Sequence, residues 1–169
     1  MRKYLTMAVL AAVLGLALTP VASRADSDDP GTKVGFRGWG PRVGLTINPD
    51  QVHFGAHLDF GNFAQHIRFQ PNVEIGFGDG LTLFAINAEA AYRFASRWDV
   101  WTPYLGGGIG VIIASASHGS HGSSTDLGAS ILGGVEKGLA NGNRFFLEAK
   151  LGFVDAPDLK LTAGWTFYH

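Results

Sequence analysis

From Arg144 to His169 the chain alternates apolar and polar residues with a period of two. Phe145, Leu147, Ala149, Leu151 and Phe153 alternate with Arg144, Glu148, Lys150 and Gly152. After Val154 to Pro157 the pattern resumes. Leu159, Leu161, Ala163, Trp165 and Phe167 alternate with Lys160, Thr162, Gly164 and Thr166. Side chains of a strand point to opposite faces in turn, so this period specifies two β-strands, each with one apolar and one polar face. A helix would need a period near 3.6.

The same alternation predicts six earlier strands: Gly38 to Ile47, Gln51 to Gly61, Gln65 to Phe77, Leu81 to Ala95, Thr102 to Ala114 and Thr125 to Leu139. Asn48-Pro49-Asp50, Gly78-Asp79-Gly80 and Asn141-Gly142 are turn sequences. Pro71 lies inside the third strand, where it cannot donate a ladder hydrogen bond, and predicts a bulge. Eight antiparallel strands joined by short turns predict an all-β fold, an up-and-down barrel. Closure removes the two exposed edges of an open sheet.

The first 25 residues stand apart. Arg2 and Lys3 precede a short apolar run to Leu18, and Ser23-Arg24-Ala25 fits a cleavage site. Residues 1–25 therefore read as a secretory signal peptide; the apolar run falls short of the ~20 residues a spanning helix needs. Residues 26–37 are expected to be a periplasmic N-terminal leader and residues 38–169 the barrel domain. Without Arg2, Lys3 and Arg24, ten basic residues remain against 14 acidic ones. That balance gives no electrostatic footprint for nucleic acid. The chain has no cysteine, which excludes disulfides, thiolate metal sites and a cysteine nucleophile.

Two eight-stranded barrels fit such an exported chain. A lipocalin-like binding barrel is polar outside with an apolar cavity; a membrane barrel is the reverse. Two features favour the membrane barrel, and the absence of a helix after the last strand agrees. The polar parity mixes opposite charges: Arg42, Asp59, Arg68, Glu74, Glu89, Arg93, Glu136, Glu148, Lys150 and Lys160. Such a set suits a narrow interior of paired ions. Aromatic residues gather at one set of strand ends: Trp39, Phe60, Phe63, Phe94, Trp98, Trp101, Tyr104, Phe145, Trp165, Phe167 and Tyr168. They predict a girdle at one membrane interface, with Phe77, Phe84 and Phe153 at the other.

Thr102-Pro103-Tyr104-Leu105-Gly106-Gly107-Gly108-Ile109-Gly110 and the closing hairpin LGFVDAPDLKLTAGWTFYH resemble the OmpA-like superfamily of small, eight-stranded outer-membrane β-barrels. The resemblance implies an integral outer-membrane protein exported by the general secretory pathway. It implies contact with outer-membrane lipids and lipopolysaccharide, insertion by the barrel-assembly machinery, and a monomer. In that family the last strand ends on an aromatic; here His169 is last and Phe167 lies two places earlier.

Several groups invite sharper chemistry. His118 and His121, with Asp126, could ligate a metal, but a glycine-serine loop preorganises no site. His118-x-Ser120 and His121-x-Ser123, with Glu136 downstream, have the spacing of the His-x-Ser pair of lipid A deacylases. Their flanking residues do not follow the pattern of that family. His53, His57 and His66 share the polar face with Asp59 and are expected to be hydrogen-bonded lumen groups, with His57 and His66 possible cross-strand neighbours. Glu74, Glu89 and Glu148 are expected to form a charge ladder with Arg68, Arg93, Lys150 and Lys160 rather than a catalytic pair. No catalytic, cofactor-binding or metal site is expected. The expected role is structural or surface-binding, with a lumen filled by side chains and no wide pore.

Overall fold

The computed structural model describes residues 33–95, 98–116, 123–154 and 156–168. Eight strands form one antiparallel sheet. β1 is Lys33–Ile47, β2 is Gln51–Ala64, and β3 runs in two segments, Ile67–Phe69 and Asn72–Gly78. β4 is Leu81–Arg93, β5 Thr102–Ala116, β6 Ser123–Gly138, β7 Arg144–Val154 and β8 Leu159–Tyr168. Each strand pairs with its neighbour in sequence, and β1 also pairs with β8 from Gly38↔Tyr168 to Ile47↔Leu159. That last pairing closes the barrel. β1 begins at Lys33, so Lys33 to Arg37, assigned to the leader from the sequence, are strand.

Pro71 interrupts β3 as its missing N–H requires. Pairing lapses at Gln70 and Pro71, although the Pro71 carbonyl still accepts from Leu58 N at 2.9 Å. The irregularity is shared with the neighbouring strand. His57 pairs with Asn72 and Asn62 with Arg68, so Leu58 to Gly61 of β2 stand against Phe69 to Pro71 of β3. The extra residue therefore lies in β2, not beside Pro71 in β3. Gly61, at φ 72°, takes the left-handed conformation that such a bulge uses.

The alternation seen in the sequence becomes inside and outside. Val43, Leu45, Phe54, Leu105, Ile109, Ile131, Leu147, Leu151 and Leu161 point out and are exposed. Arg42, His53, His57, Glu74, Glu89, Glu148, Lys150 and Lys160 point in and are buried. A soluble barrel would be unstable with this wall in water. In hydrocarbon the wall is favourable and the closed ladder leaves no edge unpaired.

At the end of the barrel where β1 begins and β8 ends, aromatic rings form a band. Trp39 meets Phe167 at 5.9 Å, Phe145 meets Trp165 at 4.6 Å and Trp101 at 6.1 Å, and Tyr92 meets Phe94 at 5.2 Å. Two members of the expected girdle do not join it. Tyr104 and Tyr168 fall on the inward parity; Tyr104 is 3% exposed inside the lumen. Their hydroxyls reach Glu148 and Asp59, which an outward ring could not do.

A charge on the outer wall tests the environment directly. Ile109 stands near the middle of β5 and is 62% exposed. Ile109→Arg is expected to destabilise the barrel by about 2–4 kcal/mol in phospholipid vesicles, measured by urea titration. A water-facing position would show almost no change.

Candidate functional site

The barrel lumen concentrates the chemistry of the described residues. Ten charged side chains there are buried: Arg42, Arg68, Arg144, Lys150 and Lys160 against Asp59, Glu74, Glu89, Glu136 and Glu148. The two signs balance one for one. Each residue lies on the inward parity of its strand, and together they come from β1, β2, β3, β4, β6, β7 and β8. Burying an unpaired charge is prohibitive, so the positions of these groups are coupled.

The set divides into two clusters. In the one farther from the start of β1 and the end of β8, Arg42 is the hub. Its Nη2 donates to Glu148 Oε1 at 2.6 Å, Nη1 lies 3.5 Å from Glu89 Oε2, and Nε lies 3.4 Å from Glu74 Oε1. Lys160 Nζ donates to Glu74 Oε2 at 2.6 Å, and Lys150 Nζ contacts Glu89. Tyr104 donates its hydroxyl to the second oxygen of Glu148 at 3.1 Å. The cluster near the start of β1 and the end of β8 centres on Glu136, which receives Arg68 at 2.5 Å, Arg93 at 2.6 Å and Arg144 at 3.5 Å. Arg144 and the Tyr168 hydroxyl also reach Asp59, each at 3.0 Å.

The ladder therefore differs from the one expected. Arg68 and Arg93 do not face Glu74, Glu89 or Glu148; they pair with Glu136. The hub, Arg42, was visible only as one more polar-parity charge. Phe146 was missed. It sits on the polar parity of β7 yet is 1% exposed, in edge contact with His57 at 5.2 Å and 5.7 Å from the Arg42 guanidinium. Gly164 makes room for it, since a Cβ there would lie 2.4 Å from the ring. An aromatic out of phase between Phe145 and Leu147 was the available signal.

The histidines are hydrogen-bonded lumen groups where they are buried. His53 bonds Thr46 at 2.9 Å and Thr162 at 3.0 Å, and His57 bonds Thr166 at 2.9 Å. His66 is not beside them. It occupies the turn between β2 and β3 with φ 64°, exposed, while His57 faces Asn72. Among the described residues no cluster of three or more histidines and carboxylates could hold a metal.

His118, Ser120 and His121 lie outside the described residues. Ser123 opens β6, and Glu136 lies near the other end of the same strand. Thirteen residues at ~3.3 Å each separate them by roughly 40 Å, so these two cannot serve one hydroxyl-activating site. Glu136 is instead saturated by three arginines.

Little space remains inside. A cavity of about 30 Å³ lies beneath the far mouth among Gln51, His53, Asn87, Ser130 and Lys160, enough for about two waters. Ala156 and Pro157 line its upper side, over Gly128 and Gly152. Asn48 and Asp158 tie the two adjoining turns by a 2.6 Å hydrogen bond. A larger, shallow depression of about 970 Å³ lies on the outer wall. The side chains projecting into it, such as Val43, Leu105, Leu147 and Leu161, are apolar and carry no acid-base chemistry.

The hub should dominate stability. Arg42→Met takes the salt-bridge partner from buried Glu148 and weakens the pairing of Glu74 and Glu89, which keep Lys160 and Lys150, and is expected to destabilise the barrel by about 3–5 kcal/mol. Arg93→Gln, at a side chain 40% exposed, should change it by at most ~1 kcal/mol. Equilibrium urea unfolding of both variants in vesicles checks the contrast.

No family model matches the sequence, and no curated protein matches it. Solved structures resemble the fold. Neisserial surface protein A (NspA) superposes with a TM-score of 0.65 at 17% identity, over 80% of this chain and 97% of that one. The N-terminal β-barrel domain of Pseudomonas aeruginosa OprF gives 0.56 at 14% identity, over 79% and 99%. The outer membrane enzyme PagL gives 0.51 at 17% identity, over 78% and 99%. With its apolar wall, aromatic band and charge-filled lumen, the chain has the eight-stranded antiparallel barrel fold that these small outer-membrane proteins share.

Proposed function

We propose that this protein is a structural or surface-interacting element of the outer membrane, neither an open pore nor an enzyme. The observation that carries the reading is the charge-balanced lumen. Arg42 with its three carboxylates, Phe146 and Tyr104 fill the middle of the barrel, and the cavity beneath the far mouth is water-sized. An eight-stranded interior has no more space than its side chains occupy. The buried charges inside are paired with one another, which speaks against an acid or base poised for a substrate.

In this reading both chain termini lie in the periplasm. The turns around Asn48 to Asp50, Asp79 to Gly80 and Ala156 to Asp158 then face outward. The aromatic band of Trp39, Trp101, Phe145, Trp165 and Phe167 sits at the periplasmic interface. Partners are the surrounding lipids and lipopolysaccharide, with the assembly machinery needed for insertion, and the unit is a monomer after removal of residues 1–25. The fold that PagL shares permits enzymes, but the Ser123 to Glu136 separation speaks against the His-x-Ser chemistry considered from the sequence.

Two measurements on one strain pair test it. Purified protein in planar bilayers should give no stepwise conductance, and lipid A from cells with and without the protein should have the same mass profile. Discrete channel steps would refute the closed lumen. Loss of an acyl chain from lipid A would refute the non-enzymatic role.

A further inference from the structure

The seam between β1 and β8 faces a physical problem. A two-residue slip of one strand past the other keeps every side chain on its own face and restores the backbone ladder. The outer wall does not resist such a slip. Trp39, Pro41, Val43, Leu45 and Ile47 on β1 oppose Leu159, Leu161, Ala163, Trp165 and Phe167 on β8, and hydrocarbon accepts any pairing of them. Register must then be set from inside.

The inner face of the seam is built as three rows across β2, β1 and β8. His53, Gly44 and Thr162 are in register, as are His57, Gly40 and the level of Thr166. Between them lies Gly55, Arg42 and Gly164. In the outer rows the histidine of β2 reaches over the glycine of β1 to the threonine of β8, at 3.0 Å for His53 and 2.9 Å for His57. The glycines let β8 approach closely, and Gly44 also leaves room for the His53 ring. A Cβ on Gly44 would lie 2.7 Å from the His53 ring, and one on Gly40 would lie 1.6 Å from the Trp165 carbonyl oxygen. His57 is 1% exposed and its Nδ1 has no hydrogen-bond partner, so the bond to Thr166 is the one its ring makes.

We infer that His53 and His57 are register clasps, which fix the alignment at which the first and last strands close the barrel. A slip in one direction sets the His53 row against Gly164; a slip in the other sets the His57 row against Gly164 and the His53 row against Lys160. Both slips put a threonine opposite Arg42, where Gly164 now leaves space for Phe146. Only the observed register satisfies both histidines and leaves Arg42 flanked by glycines.

The absence of cysteine from the chain allows a clean test. Three cysteine pairs report the seam in full-length protein folded in vesicles. Val43→Cys with Ala163→Cys reads the native register, and Val43→Cys with Leu161→Cys or Trp165→Cys reads the two slips. Disulfides need Cβ atoms ~4 Å apart, whereas diagonal neighbours stand ~7–8 Å apart. With a lipid-soluble oxidant, the parent should form the first bridge almost alone. H53A/H57A should lower its preference over the slipped bridges by about 30-fold, the equilibrium weight of two buried hydrogen bonds. T162V/T166V removes the same two bonds from the other side, together with the Arg144 bond to the Thr166 hydroxyl at 2.9 Å, and should lower the preference at least as far. If both variants bridge at 43–163 as exclusively as the parent, the inference is wrong. Should both fail to close, judged by loss of heat-modifiable gel mobility, Thr46→Val decides. It removes a His53 bond that does not cross the seam. Normal closure of that variant supports the clasps, and equal failure overturns them.

Discussion

Charge neutrality inside a narrow tube is the constraint on which the rest depends. A membrane barrel of eight strands cannot hydrate its interior freely, so every ion inside must meet its opposite. Arg42 answers three carboxylates and Glu136 answers three arginines. Those contacts join strands distant in sequence, with Arg42 of β1 bonded to Glu148 of β7. The lumen is therefore a cross-brace as well as a filling. The hydrogen-bonded ladder alone would leave the tube free to deform.

The outer wall and the lumen divide the work of specificity. Hydrocarbon rewards any apolar residue outside and discriminates weakly among them. Shape and hydrogen bonding inside do discriminate. Glycine is part of that code where a large inward group crosses a neighbouring strand, as at Gly44 beneath His53 and Gly164 beneath Phe146. A methyl group at Gly164 would meet the Phe146 ring at 2.4 Å, and one at Gly44 would meet the Leu161 carbonyl oxygen at 2.0 Å and the His53 ring at 2.7 Å.

Much of this was legible in the chain. Strict alternation set the strands, and mixed charge on one parity indicated which face turned inward, because water-facing walls have no need to balance charges so closely. The aromatic-rich strand ends were legible for Trp39, Phe145, Trp165 and Phe167. Tyr104 and Tyr168 were misplaced because position along a strand was weighed above parity. Phe146 was missed because an apolar residue on a polar face looks like noise until the space over Gly164 is seen. The bulge was tied to Pro71, but its extra residue lies in β2 at Gly61, since the unpaired proline constrains its neighbour as much as itself.

By itself the sequence determined the class of fold, the order of strands and the side of the wall each residue takes. These follow from a period of two and from the free energy of placing charge or hydrocarbon in the wrong medium, both properties of single strands. Only the tertiary structure decided which charges pair, that Arg42 is the hub, and that His53 and His57 span the seam. Those outcomes depend on the stagger between strands and on where the tube closes, and neither is a property of any strand alone.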